Sequence, residues 1–389
     1  MTLQHKLGQY FTTNEALQET VFKFILNTDI DKILEPSFGR GDLVKYIKNK
    51  LPLNVIFEIY ELDDTIEFLE DIYADNINMY IGDFLTYEIT EKYDTIIGNP
   101  PYIKLKKGNM YIDFIEKCYN LLNENAELIF IIPSDFFKLT SASKLITEML
   151  NNGTFTHIYH PHNENLFKNA SIDILIFRYC KNINLGNKVL YNGELMYLKC
   201  INGIITFNNT TEKENNILFS DYFDIYVGIV NGKEEVYKNE EFGNITVLNG
   251  FNKVEKYILL DKFPTEDNYL NEYMLKNKKK LETRKIKKFN ENNWYEWGAL
   301  RNVSSVNKNL DKDCIYIYNL TRKENVAFIG KVMMFGGGLL IMIPKKECNL
   351  LEVVKYLNSI EFKKNYIFSN RFKIGHKILS NSQFPVELE

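Results

Sequence analysis

Cysteine is scarce and scattered: its five residues, at positions 118, 180, 200, 314 and 348, nowhere form a C-x-x-C spacing. That excludes a readable disulfide framework or cysteine zinc site and fits buried thiols in a reducing compartment. Long hydrophobic runs are also missing. The longest, such as Leu128–Pro133, are strand-sized and far short of the roughly 20 apolar residues of a membrane span, so no membrane segment is expected. Met1–Lys6 lacks the apolar core and small-residue cleavage site of a secretory signal, which makes the cytoplasm the expected location. There is no internal repeat, and the abundant Asn and Lys are spread along the whole chain without marking a disordered segment. His157, His160 and His162 lie close in sequence, but no carboxylate stands at a ligand-like spacing, so no metal is expected.

What is present is a chain of 389 residues, too long for one ordinary core and suited to two domains. The net charge of -4 hides an asymmetry: Lys+Arg against Asp+Glu is 16 against 26 for residues 1–180, and 31 against 25 for residues 181–389. The first part is therefore acidic by ten charges and the second basic by six, so an acidic polymer would be held by the second.

From residue 31 to about 180, short β-branched and aromatic runs alternate with helix-length amphipathic segments. Strands are predicted near 32–35, 55–60, 79–82, 94–98, 127–132, 156–159 and 172–179, and helices over 42–50, 64–73, 111–123 and 141–150. The expected architecture is a doubly wound, mostly parallel, seven-stranded Rossmann-like α/β sheet, in which ligands bind beyond the carboxyl ends of the strands. After residue 180 the texture changes to Asn- and Gly-punctuated short strands, a lysine-rich helical stretch and further strands, which predicts a mixed α+β domain over 181–389.

Three successive strand ends carry acids. The first opens into Glu35-Pro36-Ser37-Phe38-Gly39-Arg40-Gly41, where glycine lets backbone approach a ligand and Glu35 can hold a cationic group. An ordinary tight βα turn reads the same way in isolation. The second ends at Glu61, about 20 residues after the glycine turn, where a ribose diol needs an acceptor. The third ends at Asp83-Phe84, a carboxylate for an adenine amine and a ring for the purine face. A dinucleotide fingerprint would need a third glycine where Val44 stands, so a cofactor without phosphates fits better.

The fourth strand runs into Asn99-Pro100-Pro101-Tyr102. The prolines fix φ and lack N–H groups, so carbonyl oxygens can project into a site. The Asn99 side-chain carbonyl and the Pro100 carbonyl can accept the two hydrogens of an exocyclic amine while Tyr102 stacks on its ring. This turn resembles the reaction motif of the amino-methyltransferases of restriction–modification systems, and the Asn form points to adenine N6. The order of the motifs resembles the gamma group, in which target recognition comes last. The resemblance implies S-adenosylmethionine as cofactor, S-adenosylhomocysteine as product and no metal. It implies that Gln9, Tyr10, Phe11 and Thr12 cap the methionine end, that Glu35, Pro36, Ser37, Gly39 and Gly41 hold the methionine moiety, and that Glu61 takes the ribose and Asp83 with Phe84 the adenine. Phe167, in the stretch 165–172, matches the place where an aromatic stacks on an extruded base, although a core aromatic at a loop-to-strand junction would look the same. Cytosine C5 chemistry would need a cysteine after proline, and no cysteine follows one.

The same turn occurs in enzymes that methylate protein glutamine and in some RNA methyltransferases, so the rest of the chain must choose. Residues 276–288 carry eight basic side chains and one acid, which suits duplex phosphates and equally a solvated helix face. Lys278, Lys279, Lys280, Arg284, Lys285, Arg301, Arg371 and Lys373 are the candidates for DNA contact. Double-stranded DNA is the expected partner. A cognate restriction endonuclease would accompany such an enzyme, and no nuclease signature of its own is readable after residue 181.

Overall fold

The computed structural model describes residues 8–106, 108–167, 171–183, 186–209 and 217–388; Met1–Lys6 and Lys168–Ala170 lie outside the described residues. The chain divides into two compact units, residues 1–213 and 214–389.

In the first unit the apolar runs become β1 (Lys32–Glu35), β2 (Ile56–Glu61), β3 (Ile77–Ile81), β4 (Tyr93–Gly98), β5 (Leu122–Pro133), β6 (Gly153–Tyr159) and β7 (Ile174–Lys181). Their spatial order is 3-2-1-4-5-7-6, and β7 runs antiparallel to both β5 and β6 while the other pairings are parallel. Because neighbouring strand residues point to opposite faces, Leu128, Phe130 and Ile132 join one buried cluster and Ile129 and Ile131 the other. α1 (Glu15–Phe24) and α2 (Asp42–Lys48) pack on the second cluster, and α3 (Met110–Asn120) and α4 (Ser143–Asn151) on the first. Asn14 starts α1 by accepting from the Ala16 and Leu17 amides.

Two expectations are corrected. The sheet does not stop at seven strands: β8 (Lys188–Tyr191), β9 (Glu194–Ile201) and β10 (Ile204–Asn208) extend it to ten among the described residues, with β8 parallel to β6. The unit therefore ends near Lys213, 33 residues past the boundary expected at 180. Two Asn-Gly pairs, 192–193 and 202–203, all with positive φ, form the tight turns of this meander. With the boundary moved, residues 1–213 carry a net charge of -8 and residues 214–389 one of +4, so the asymmetry persists.

The helix expected over 64–73 is a loop with one 3-10 turn at Glu70–Ile72. Asp63 takes the Thr65 amide and hydroxyl, and the Leu69 amide goes to the Arg40 carbonyl, so the backbone bonds a helix would need are committed elsewhere.

The second unit is mixed α+β, as expected. It holds β11 (Phe223–Val227), a hairpin of β12 (Ile245–Gly250) and β13 (Lys253–Tyr257), then β14 (Asp313–Tyr318), β15 (Leu320–Thr321), β16 (Ala327–Lys331), β17 (Leu339–Pro344), β18 (Ile367–Phe368) and β19 (Arg371–Lys373). β11, β17, β14 and β16 form one antiparallel sheet. The lysine-rich stretch 276–288 begins on the helix Asn268–Glu282, capped by Asp267, and runs past its end, so that Arg284, Lys285, Lys287 and Lys288 lie beyond the helix. No helix among the described residues is long and apolar enough to cross a membrane.

Candidate active site

The carboxyl ends of β1 to β4 and the segment Gly8–Thr12 surround a cavity whose empty space, counting the part open to solvent, is about 980 Å³. Gln9, Tyr10, Phe11, Thr12, Glu35, Pro36, Ser37 and Gly39 all line it, and so do Glu61, Asp83, Phe84, Asn99 and Pro101. The spacing of acids along the sequence thus converts into one enclosure, because parallel strands place all their ends on one edge.

Of the expected cofactor residues only Gly41 does not line the cavity, and of the Asn99–Tyr102 turn Pro100 and Tyr102 do not. Gly41 caps α2 with a φ of 95°, and a Cβ there would lie 2.3 Å from Ile72 Cγ2, so its small size serves protein packing. At Gly39 a Cβ would meet the Phe11 ring at 2.9 Å, which lets the N-terminal segment lie down on the turn.

Glu35 is 2 % exposed, and its Oε2 has no hydrogen-bond partner. Burial, with the Glu61 and Asp42 charges nearby, holds its carboxyl well above the usual carboxylate range. An orphaned acid in a cavity wall fits a cationic ligand group, such as an α-ammonium, that would restore its charged form. Glu61 accepts from the Gly39 amide at 2.8 Å and the Asp63 amide at 2.9 Å, and burial raises its pKa as well. Asp83 holds the Leu85 amide at 3.0 Å. Phe84 forms cavity wall and core at once, stacked on Phe114 at 5.5 Å and edge-on to Tyr60 at 5.3 Å. These donors and acceptors suit the methionine, ribose and adenine portions of S-adenosylmethionine.

Asn99 sits at the cavity edge with its amide fully directed. Its Nδ2 donates to the Tyr10 carbonyl at 2.6 Å and to Thr12 Oγ1 at 3.1 Å, and its Oδ1 accepts from the Tyr102 hydroxyl at 2.6 Å. A carbonyl facing Nδ2 leaves one orientation for the amide, so Oδ1 keeps one lone pair for a further donor. The Tyr102 hydroxyl also lies 3.0 Å from the Ile131 carbonyl, and burial pushes it well above the usual phenol range. Tyr102 and Phe167 are neighbours, with ring centroids 6.4 Å apart, but their planes stand at 71°, edge to face rather than parallel, and Phe167 is 5% exposed in a buried cluster. Tyr10, expected only at the cofactor, packs against both, 5.4 Å from Tyr102 and 5.6 Å from Phe167.

Met110 and Phe114 of α3 also line the cavity and were missed. Their i, i+4 spacing marks one helix face, but nothing local distinguishes a cavity wall from core.

In the second unit, Lys279, Lys280, Lys285, Arg301 and Lys373 are exposed, and Arg371 is half-buried. Lys278 is tied to Glu291 and lies 5.5 Å over the Trp294 ring. Arg284 corrects the expectation of DNA contact: it is buried and donates to the carbonyls of Leu281, Asn231, Glu296 and Trp294 and to the Tyr237 hydroxyl. Of the three histidines, His160 pairs with Asp173 and has the His162 ring 3.7 Å from its own, while His157 Nδ1 faces Thr156 Oγ1 at 2.9 Å.

Strand order and the cavity at the strand ends are similar to those of class I S-adenosylmethionine-dependent methyltransferases, a likeness of fold. More particularly, residues 11–167 match the model of the Eco57I restriction-modification methylase family. The type II methyltransferase M.AccI of Acinetobacter calcoaceticus is 27% identical over 319 residues, covering 67% of this chain and 57% of that protein. The type II methyltransferase M.HincII of Haemophilus influenzae is 30% identical over 208 residues, covering 48% of this chain and 39% of that protein. The matches thus span less than two thirds of either relative's length. Among solved structures, the type IIL restriction-modification enzyme MmeI in complex with DNA superposes with a TM-score of 0.60 at 11% identity, covering 97% of this chain and 64% of that one, a likeness of fold.

Proposed function

We propose that this chain methylates the N6 amine of adenine at a specific site in double-stranded DNA, using S-adenosylmethionine, as the modification enzyme of a restriction–modification system. Residues 1–213 would bind cofactor and perform transfer, and residues 214–389 would grip and read the duplex. The observation that carries the reading is Asn99 at the edge of the acid-lined cavity, with one Oδ1 lone pair left over and the Tyr102 and Phe167 rings beside it.

When bound, S-adenosylmethionine supplies an electrophilic methyl group on a sulfonium. Glu35 would hold the methionine ammonium, Glu61 the ribose hydroxyls and Asp83 the adenine amine, with Phe84 as hydrophobic wall. Asn99 Oδ1 and the Pro100 carbonyl would accept the two hydrogens of the substrate amine and aim its lone pair, a contribution of position more than of acid–base chemistry. Because N6 is out of reach inside a duplex, the adenosine must rotate out of the stack, and Tyr102 with Phe167 would receive it. Exposed Lys279, Lys280 and Lys285 would take phosphates.

The test is to incubate purified chain with labelled S-adenosylmethionine and unmethylated bacteriophage DNA, then digest the DNA and identify the modified nucleoside by mass spectrometry. N6-methyl-2′-deoxyadenosine is the expected product. N4-methylcytosine would redirect the reading to the other exocyclic amine, and label in RNA or protein alone would overturn it.

A further inference from the structure

The loop between β6 and β7, which carries Phe167, is drawn together at its neck by a buried pair. His160 follows the last residue of β6 and Asp173 precedes the first of β7. They are 4% and 6% exposed, and His160 Nε2 lies 3.0 and 3.1 Å from the two Asp173 oxygens. A second rung lies just inside: the Ile172 amide donates to the Glu164 carbonyl at 3.0 Å, and Ser171 Oγ to Glu164 Oε2 at 2.7 Å. Phe167 lies beyond these two cross-links in sequence and is buried in the same cluster as Ile129 and Ile131.

The pair is anchored from outside the loop on two sides. At the end of β5, Ser134 donates to Asp173 twice, from Oγ to Oδ2 at 2.6 Å and from its amide to the Asp173 carbonyl at 3.0 Å. At the β8–β9 turn, Tyr191 Oη faces His160 Nδ1 at 2.9 Å, and the Asn192 side chain bridges the His160 amide and carbonyl at 2.7 and 3.0 Å. A carboxylate at Nε2 requires that nitrogen to carry a proton, which fixes the ring's orientation.

Closing a loop does not call for this chemistry. Removing a carboxylate and an imidazole from water is costly, and apolar residues would hold two strand ends at least as well. What such a pair adds is one specified geometry, here relayed from β5, beside the reaction turn, and from the meander that extends the sheet.

We propose that His160 and Asp173 are positioning residues for the target base, holding Phe167 at the height at which it stacks. The proposal rests on the reading of Tyr102 and Phe167 as the base slot. A stack present equally in the bound and transition states changes KM and leaves kcat alone.

The experiment measures methyl transfer to unmethylated bacteriophage DNA by the full chain carrying His160→Ala, His160→Gln or Tyr191→Phe, together with calorimetric titration of S-adenosylhomocysteine. His160→Ala is expected to raise KM for DNA about tenfold, toward the lower end of what one base–aromatic stack contributes, with kcat and the affinity for S-adenosylhomocysteine unchanged. His160→Gln should recover most of that loss, since its amide nitrogen can donate to Asp173 from near the Nε2 position. If His160→Ala does not fold, Tyr191→Phe, which removes only the hydroxyl facing Nδ1, is read by the same split. A KM unchanged in the folded variant, or kcat and product affinity falling in step with it, overturns the proposal. If the wild-type chain modifies no DNA, the proposed function fails separately. The clasp is then read by hydrogen exchange: faster exchange confined to residues 161–172 in His160→Ala supports it, and unchanged exchange there overturns it.

Discussion

The side-chain amide of Asn99 donates to the Tyr10 carbonyl across 2.6 Å, so the Asn99–Tyr102 turn and the N-terminal segment that walls the cavity are fastened by the side chain that the proposed function sets against the substrate amine. The Tyr102 amide, 3.4 Å from the Gly8 carbonyl, adds a second tie. On the proposed function, cofactor enclosure and amine positioning would be coupled through this one side chain, and its removal should disturb both.

Asn99→Ala is expected to lower kcat by about 10²–10³-fold, the scale of losing one preorganised polar group at a reacting centre. It should also weaken S-adenosylhomocysteine binding, because the segment loses its anchor. Asn99→Asp would set a carboxylate against the Tyr10 carbonyl and should behave no better. Single-turnover transfer and calorimetry read the two effects, and full activity in Asn99→Ala would contradict the assignment.

Tyr102 combines a ring and a hydroxyl that can be separated. Tyr102→Phe keeps the face turned to Tyr10 and Phe167 and loses the bond to Asn99, a loss of about 1 kcal/mol or less than tenfold in rate. Tyr102→Ala loses both and should cost far more in kcat/KM. Equal losses in the two variants would show that the ring does not stack on substrate.

Glu35 gives a pH dependence with a definite sign. Its folded-state pKa is raised, so the folded chain binds a proton more tightly than the unfolded one, and ligand-free stability falls as pH rises from the ordinary carboxylate range toward the folded value. Glu35→Gln should flatten that slope and raise the melting temperature at neutral pH while weakening S-adenosylhomocysteine binding. A variant that melts earlier at neutral pH and binds the ligand as well as wild type would exclude the role.

Arg284 and its lysine neighbours should separate cleanly. Arg284→Ala removes donated bonds to four carbonyls and the Tyr237 hydroxyl in the core of the second unit and deprives the Trp294 carbonyl of its donor, and should destabilise the unit by about 1–3 kcal/mol. Lys279→Ala and Lys280→Ala should leave stability unchanged and each lower the salt slope of DNA binding by about one. Denaturant melts and binding titrations across salt concentrations test both halves.

The β1 to β7 strands and the acids at their ends were legible because each is a local apolar run terminated by a polar turn. The meander of residues 188–208 was equally legible as strands, even to its Asn-Gly turns, but not as part of the first sheet. That membership rests on β8 pairing with β6, a partner about 30 residues away that no local pattern names. Arg284 stood in a basic run, and nothing in the run distinguishes the one side chain whose partners are carbonyls of residues 231, 294 and 296. The loop 64–73 has helical spacing, and only the tie between Leu69 and Arg40 shows why it does not wind. His160 and Asp173 were separated by the loop they close, so the histidines read as an isolated cluster.

The most direct test is single-molecule sequencing of DNA from a host lacking adenine methylation and expressing this chain, beside the same host expressing Asn99→Ala. The account predicts N6-methyladenine at one short recurring sequence in the first and none in the second. No modified adenine in the first, or the same modification in both, would contradict it.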